Sequence, residues 1–157
     1  SYSSWFIDIG CAYEASLSMK EASSEYIERG ASLSDYYAVK EIILTNITNV
    51  TAEGNTDLTM KGPGLKKLKG GKVIEVVPAK IPRIVGKQGS MISMIKDKTG
   101  CTVFAGQNGR VWIKGPSHQA ESLATNAVRL IEKMAHTRGL TERVKAFLEE
   151  KAKEIKK

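Results

Sequence analysis

Small or polar residues alternate with apolar ones in the first sixty positions, and this period of two predicts β-strands. Residues 15–19 show it most clearly, because serines separate Ala15, Leu17 and Met19 as in a strand that is buried on one face. Gly54 lies in a polar stretch that marks a turn. The predicted strands are residues 4–9, 15–19, 37–50 and 56–60, and residues 20–33 are a polar loop with a helical turn.

Four strands with one long connection predict an OB-type barrel that is short of one strand, a fold suited to oligonucleotides. A glycine-rich stretch follows, in which Pro63 and the pair Gly70-Gly71 prevent a regular element from continuing. We therefore place the first domain at residues 1–61 and a short linker at residues 62–70.

Residues 71–136 predict a second, α+β domain with the order strand, helix, helix, strand, strand, helix. Met91, Ile92 and Ile95 form the apolar face of its second helix, and Gly100 is suited to end that helix. The predicted strands are residues 72–77, 102–105 and 110–113, and the longer helices are residues 90–98 and 117–135. A last helix begins near Thr141, within a C-terminal segment at residues 137–157.

The most informative motif is Gly86-Lys87-Gln88-Gly89, which joins the two predicted short helices. Glycine tolerates φ > 0 and has no Cβ, so a loop of this kind can press its backbone against a sugar-phosphate chain. The motif and the elements around it resemble the KH family, whose loop of this type clamps about four nucleotides of single-stranded nucleic acid. The candidate RNA-binding residues in this region are Lys80, Arg83, Gly86, Lys87, Gln88 and Gly89.

A second motif, Gly106-Gln107-Asn108-Gly109, lies between the two later strands. An Asn-Gly pair between extended runs predicts a two-residue hairpin turn in which both residues have φ > 0. Gly106, Asn108 and Gly109 are therefore predicted to be structural turn residues.

Charge is divided unevenly along the chain. Residues 1–60 hold nine acidic and three basic residues, a net charge of −6, whereas residues 61–157 hold eight acidic and 21 basic residues, a net charge of +13. Eight basic residues and one acidic residue fall between Lys61 and Lys87. Positive charge beside the glycine loop favours a polyanionic partner, although solvated surface lysines remain the alternative.

The remaining composition narrows the class of protein. At 157 residues the chain suffices for one domain or two small ones, and its apolar runs are too short to cross a membrane. Cys11 and Cys101 lack metal-ligand spacing and are expected to be small buried residues in a reducing cytoplasm. His118 and His136 have no ligand partner at metal-site spacing. We predict no catalytic residue, no metal site and no cofactor.

Trp5 is the aromatic candidate in the first domain. Residues 5–9 and 15–19 resemble the second and third strands of the OB domain of the ribosomal protein S-one type, and residues 56–61 resemble its last strand. Ser18 stands where that family often has a histidine on its RNA face. Trp5 is either a base-stacking residue, worth about 1–3 kcal/mol per base, or a core residue, and the sequence favours neither.

Over nearly its whole length the chain resembles the RNA-binding cap subunit of the archaeal exosome. The resemblance rests on the order of the domains, on the linker sequence, on residues 105–113 and on residues 135–141. It implies a non-catalytic cytoplasmic protein that binds single-stranded RNA. Three copies, with other cap subunits, would sit on a ring of phosphorolytic ribonuclease subunits and guide RNA 3′ ends into it. The family's additional N-terminal domain and the first OB strand are not found in this sequence.

Two other functions stay open at this point. A NusA-like transcription factor shares the OB-then-KH order, but that family has two KH modules and only one G-x-x-G loop is found. A hydrolase or transferase with an unrecognised site is the alternative from another class. No phosphate-binding P-loop and no nucleophile elbow supports it.

Overall fold

The computed structural model describes residues 3–155, and the chain divides between Lys69 and Gly70 into two compact units. We call them the N-terminal unit and the C-terminal unit. The predicted class is confirmed, because the first unit is a partial β-barrel and the second has the β-α-α-β-β-α order followed by a helix.

The N-terminal unit is a four-stranded sheet with a separate two-stranded ribbon. Its elements are β1 (Ser4–Ile7), β2 (Ala15–Ser18), α1 (Met19–Ala22), α2 (Leu33–Tyr36), β3 (Ile42–Leu44), β4 (Asn46–Val50), β5 (Thr56–Thr59) and β6 (Lys66–Leu68). The sheet order is β1-β2-β5-β4, with β2 and β5 parallel and the other pairs antiparallel. Strands β3 and β6 form the ribbon.

Two sequence predictions for this unit need correction. The run at residues 37–50 is not one strand, because Lys40 has φ 72° and the chain then forms β3 and β4, which pair with different partners. The linker placed at residues 62–70 is not wholly irregular, because Lys66–Leu68 pairs with Ile42–Leu44 as β6. Pairing with a distant strand is not visible in the local pattern of three residues, two of which are lysines.

The core of the N-terminal unit is small. Four fully or nearly buried residues form it, with half-buried side chains such as those of Trp5 and Tyr37 packed around them. The four are Ala15, Leu17, Ala22 and Leu58. Because little apolar area is removed from water here, packing stabilises this unit less than a full domain core would.

The C-terminal unit has a three-stranded sheet with the order β7-β9-β8 and antiparallel pairs. Its elements are β7 (Lys72–Glu75), a 3-10 turn (Pro78–Lys80), α3 (Ile81–Val85), α4 (Ser90–Thr99), β8 (Thr102–Ala105), β9 (Arg110–Lys114), α5 (His118–Lys133) and α6 (Leu140–Ile155). Ser117 caps α5, since its hydroxyl accepts a hydrogen bond from the Ala120 amide. The elements follow the sequence prediction closely.

The last helix belongs to the core of this unit rather than to an appendage. Leu140, Val144 and Leu148 of α6 are buried in the same cluster as residues from α3, α4, α5 and the sheet. Lys98 of α4 and Glu149 of α6 form an ion pair at 2.9 Å on the surface of this packing. The helix begins at Leu140, one residue before the predicted Thr141 cap.

The turn between β8 and β9 differs from the predicted Asn-Gly turn. Among the described non-glycine residues only Lys40 and Gln88 have positive φ, so Asn108 does not, whereas Gly109 has φ +86°. The Gly109 amide donates to the Gly106 carbonyl and the Gly106 amide donates to the Arg110 carbonyl. This is a turn followed by one left-handed glycine, the next most common hairpin connection.

The two cysteines also differ from each other. Cys101 is buried as predicted, and its burial raises the pKa of its thiol. Cys11 is exposed in the loop between β1 and β2, so the prediction that it is a buried residue was wrong.

We expect Gly109→Val to destabilise the fold strongly. A Cβ at Gly109 would lie 2.4 Å from the Val76 carbonyl oxygen, in addition to the strain of φ +86°. A strained backbone position costs on the order of 1–3 kcal/mol, and the clash adds to it. Asn108→Ala should cost less, since it removes one hydrogen bond that the side chain accepts from the Arg110 amide.

Gly139→Val is the matched control in denaturant unfolding. Gly139 has φ +69° but no heavy atom within 4 Å of an added Cβ, so it isolates the backbone strain. An equal decrease in the free energy of unfolding in the two variants would show that the contact with Val76 does not contribute to the effect.

Amide hydrogen exchange should be faster in the N-terminal unit. Four buried residues support β2 and β5 there, whereas seventeen support the C-terminal unit, and local opening is easier where fewer apolar contacts must break. Amides of β4 and β5 should therefore exchange before those of β7 and β9. Slower exchange in β4 and β5 in a sample that light scattering shows to be monomeric would contradict this.

Candidate nucleic-acid interface

The glycine loop begins where α3 ends. The Gly86 amide donates to the Pro82 carbonyl, and Gly86 then leaves the helix with φ 76° and ψ 175°. Gln88 and Gly89 follow with φ 53° and 78°. Three of the four loop residues therefore have positive φ, which produces a tight reversal directly before α4.

The two glycines of the loop have different roles. A Cβ at Gly86 would lie 2.7 Å from both the Cβ and the amide nitrogen of Met91, so the start of α4 can approach only a glycine. A Cβ at Gly89 would have no heavy atom within 4 Å. Gly86 thus closes the loop against α4, and Gly89 leaves a side of the loop open to another molecule.

The helices on either side are held firmly by the core. Ile81 and Ile84 of α3 and Ile95 of α4 are fully buried, and Met91 is nearly so. No side chain caps α4, because Gly89 precedes it. The Gly89 amide donates to the Gly86 carbonyl and the Ser90 amide to the Lys87 carbonyl, so hydrogen bonds of the loop itself join it to α4. The result is an exposed loop on a rigid base, the arrangement in which binding residues commonly lie.

The loop and the residues before it carry positive charge, and no acidic partner of it is found among the described residues. Arg83, Lys87 and Gln88 are exposed and Lys80 is half-buried. Neither Arg83 nor Lys87 forms an ion pair with any residue in the range 3–155. Lys80, Arg83 and the loop lie within one ten-residue segment, so their charges are presented together.

Other lysines of the predicted basic run are engaged within the N-terminal unit. Lys67 pairs with Glu41 at 3.0 Å, and this hydrogen bond lowers the pKa of that carboxyl. Lys61 lies 3.6 Å from Glu21, whose pKa is lowered first by the hydroxyl of Thr59 and then by Lys61. Fewer of the eight basic residues are therefore available to an anion than their number in the sequence suggested.

Trp5 belongs to the N-terminal unit, whereas the glycine loop belongs to the C-terminal unit. Its ring nitrogen donates to the Leu33 carbonyl at 3.2 Å, and its ring meets that of Tyr37 edge to face with centroids 5.1 Å apart. The tyrosine hydroxyl donates in turn to the Ala22 carbonyl. These contacts support the core interpretation of Trp5 over the stacking one.

Phe6 is the aromatic residue that the sequence reasoning missed. It is 71% exposed, on the face of β1 opposite to Trp5 and Ile7. The signal was available, because neighbouring residues in a strand point to opposite faces, so Trp5 in the core requires Phe6 outside.

Gly106, Asn108 and Gly109 form the turn between β8 and β9. The Gly109 carbonyl accepts a hydrogen bond of 2.8 Å from the Val76 amide, just after β7. A Cβ at Gly106 would lie 2.6 Å from the Asn108 side-chain oxygen. Their geometry is that of a structural turn.

Neither histidine joins a cluster of possible ligands. His118 lies 3.4 Å from the Ser122 hydroxyl on the surface of α5, and His136 is exposed. Within residues 3–155 no group of three or more His, Cys, Asp or Glu side chains could hold a metal ion. None of the described helices has the length and apolarity needed to span a bilayer.

Comparison with known proteins extends the resemblance to the whole chain. A KH domain model matches residues 71–119. The chain is 39% identical over 158 residues to the exosome complex component Rrp4 of Pyrococcus abyssi. That alignment covers 99% of this chain and 60% of the relative. It is 40% identical over 158 residues to Rrp4 of Thermococcus kodakarensis, with 99% and 62% covered.

The fold agrees with these similarities. The structure matches, with a TM-score of 0.86 and 30% identity, a crystal structure of a protein assigned as an exosome complex RNA-binding protein. The match covers 100% of this chain and 90% of that one. The chain spans about 60% of the length of the curated relatives it matches.

Changing both Lys87 and Gln88 to Asp should weaken the binding of single-stranded RNA without unfolding the protein. Both side chains are exposed in the loop, so the core is not disturbed, and carboxylates there repel phosphate. Each phosphate contact that is lost should also reduce the slope of log affinity against log salt by about 0.7. Fluorescence anisotropy at several salt concentrations measures both effects.

The matched control changes Gln119 and Lys145 to Asp. These residues are exposed on α5 and α6, and the pair of substitutions is chemically the same. If the control weakens RNA binding as much as the loop variant, total charge rather than the loop governs binding.

Proposed function

The chain belongs to the family of exosome RNA-binding proteins that includes the archaeal Rrp4 components, and from this we propose that it is a non-catalytic RNA-binding part of such an exosome. The observation that carries the proposal is the Gly86–Gly89 loop, a tight backbone reversal on buried helices with unpaired cations beside it. A site of this kind holds the backbone of a single strand and performs no chemistry on it.

We assign the strand-holding role to Lys80, Arg83, Gly86, Lys87, Gln88 and Gly89. The loop would bring its backbone close to the phosphates, whose oxygens accept hydrogen bonds from backbone amides, and Arg83 and Lys87 would supply charge. The contact reads phosphate and sugar rather than bases, so it suits a protein that must accept RNA of many sequences.

The proposed location of this RNA-binding protein is the cap of a ribonuclease ring. There, with other cap subunits and in the cytoplasm, it would guide RNA 3′ ends into a ring of phosphorolytic subunits. The relatives named as exosome complex components support this assembly. The protein itself would then leave RNA intact whether or not inorganic phosphate is present, and cleavage by the purified chain would favour a hydrolase or transferase instead.

The expected outcome for the assembly is that the ring degrades RNA faster when this protein is bound. An RNA held at the cap has a higher effective concentration at the channel. The measurement is phosphate-dependent shortening of a labelled single strand by the ring alone, by the ring with this protein, and by the ring with the Lys87→Asp, Gln88→Asp variant.

The variant is expected to co-purify with the ring but to return degradation to the rate of the ring alone. Failure of the unaltered protein to co-purify with ring subunits would contradict the proposed assembly. Stimulation that survives in the variant would contradict the role of the loop.

A further inference from the structure

Two charged side chains of α5 reach the segment that joins β7 to α3. The Glu132 carboxylate accepts a hydrogen bond of 2.9 Å from the Val77 amide, and the Arg129 guanidinium donates one of 2.6 Å to the Glu75 carbonyl. Arg129 and Glu132 also contact each other at 3.4 Å. They are three residues apart, a spacing that places two side chains on one face of a helix.

Neither bond is required to satisfy a buried backbone group. Both lie at the surface of the C-terminal unit, where water can bond to an amide or a carbonyl equally well. Holding two long charged side chains in one arrangement also costs conformational entropy. Surface contacts between residues 54 and 55 positions apart therefore point to a role in fixing where the backbone lies.

The segment that these side chains hold leads directly to the glycine loop. The Val77 carbonyl accepts from the Lys80 amide and starts the 3-10 turn, and α3 follows without interruption until Gly86. Pro78 and Pro82 restrict this stretch further, because proline fixes φ. A displacement of Val77 is therefore passed on to Gly86 rather than absorbed between them.

Helix α5 is a firm base for these contacts, and apolar packing of α3 does not replace them. Ala127, Val128 and Ile131 of α5 are buried in the core, as are Ile81 and Ile84 of α3. Burial of apolar groups is non-directional, whereas a hydrogen bond prefers a narrow range of distances and angles. The isoleucines thus hold α3 against the core, and the contacts from α5 define where the helix begins.

We propose that Glu132 is a positioning residue for RNA binding, which acts from α5 on the Val77 amide and thereby sets the Gly86–Gly89 loop without touching RNA. Arg129 supports it by holding the Glu75 carbonyl and the Glu132 side chain. The proposal rests on the proposed function, since it assumes that the loop binds RNA, and it assigns a role in that binding to a residue outside the loop.

The sign of the effect separates positioning from charge. Glu132→Ala removes a negative charge, which by itself favours a polyanion, but it also removes the acceptor of the Val77 amide. We expect single-stranded RNA to bind about tenfold more weakly, the low end of the effect of losing one hydrogen bond to a charged group. Fluorescence anisotropy with the full chain, at one salt concentration, measures the affinity.

Glu132→Gln is the matched variant. It removes the same charge but keeps an acceptor oxygen for the Val77 amide, so it should bind RNA at least as tightly as the unaltered chain. Glu150→Ala, at an exposed position of α6, controls for the loss of a carboxylate elsewhere and should not weaken binding. Equal weakening in Glu132→Gln or in Glu150→Ala would overturn the proposal.

A combination with the loop variant tests whether Glu132 acts through the loop. Adding Glu132→Ala to the Lys87→Asp, Gln88→Asp variant should weaken RNA binding no further, because the loop is already impaired. Independent sites give additive changes in free energy. Additive losses, measured at low salt where weak binding is still detectable, would place the effect of Glu132 outside the loop and contradict the proposal.

The loop can also be observed without RNA. The NMR amide resonances of Gly86 and Gly89 should shift in Glu132→Ala and return towards their original positions in Glu132→Gln. Unchanged loop resonances in a Glu132→Ala variant that melts cooperatively would overturn the proposal. If that variant does not fold, Glu132→Asp replaces it, since its shorter side chain keeps the charge but withdraws the acceptor, and the same shift and weaker binding are expected.

Failure of this inference differs from failure of the proposed function. If the unaltered chain binds no single-stranded RNA, the proposed function fails, and the loop resonances still decide whether Glu132 positions the loop. If the chain binds RNA and Glu132→Ala binds it as tightly, RNA binding stands and the positioning role is wrong.

Discussion

The C-terminal unit depends on a contact between two backbones that no side chain could enter. The Val76 amide donates to the Gly109 carbonyl at 2.8 Å, and a Cβ on Gly109 would lie 2.4 Å from the Val76 oxygen. The contact holds the end of β7 against the turn between β8 and β9. It fixes the point at which the chain leaves the sheet and begins the path to α3.

Helix α5 holds the same segment from the other side. The Arg129 guanidinium donates to the Glu75 carbonyl, and the Glu132 carboxylate accepts from the Val77 amide at 2.9 Å. Arg129 and Glu132 also contact each other at 3.4 Å. These bonds fix the backbone of this segment directly before α3, so the helix and the glycine loop that follows it have a rigid support.

The two units differ in charge, because residues 1–69 hold nine acidic and seven basic residues whereas residues 70–157 hold eight acidic and 17 basic residues. The C-terminal unit offers unpaired cations and backbone amides, which suit phosphates. The N-terminal unit carries an exposed ring, that of Phe6, and the exposed carboxylate of Asp57 on the outer face of its sheet.

Much of the C-terminal unit could be predicted from the sequence, because its signals are local. The glycines of the loop, the helical spacing of Met91 and Ile95, and Ser117 before α5 each act within a few residues. Gly86 was correctly marked as a loop residue, but its tight contact with Met91 was not foreseen. The prediction failed at Asn108, since whether one or both residues of an Asn-Gly pair take φ > 0 depends on the strands that the turn must join.

The sequence by itself determined the order of the elements in the C-terminal unit, the class of each unit, the glycine loop and the uneven distribution of charge. Tertiary structure alone decided which faces those elements show and which charges remain free. Lys66–Leu68 is a strand because it pairs with Ile42–Leu44. Lys67 forms an ion pair with Glu41 at 3.0 Å and is therefore not available to an anion. Phe6 and Asp57 are 51 positions apart in the sequence and share a row only because β2 pairs with β1 and β5. Pairing and packing join residues that are distant along the chain, and no local pattern of residue types contains that information.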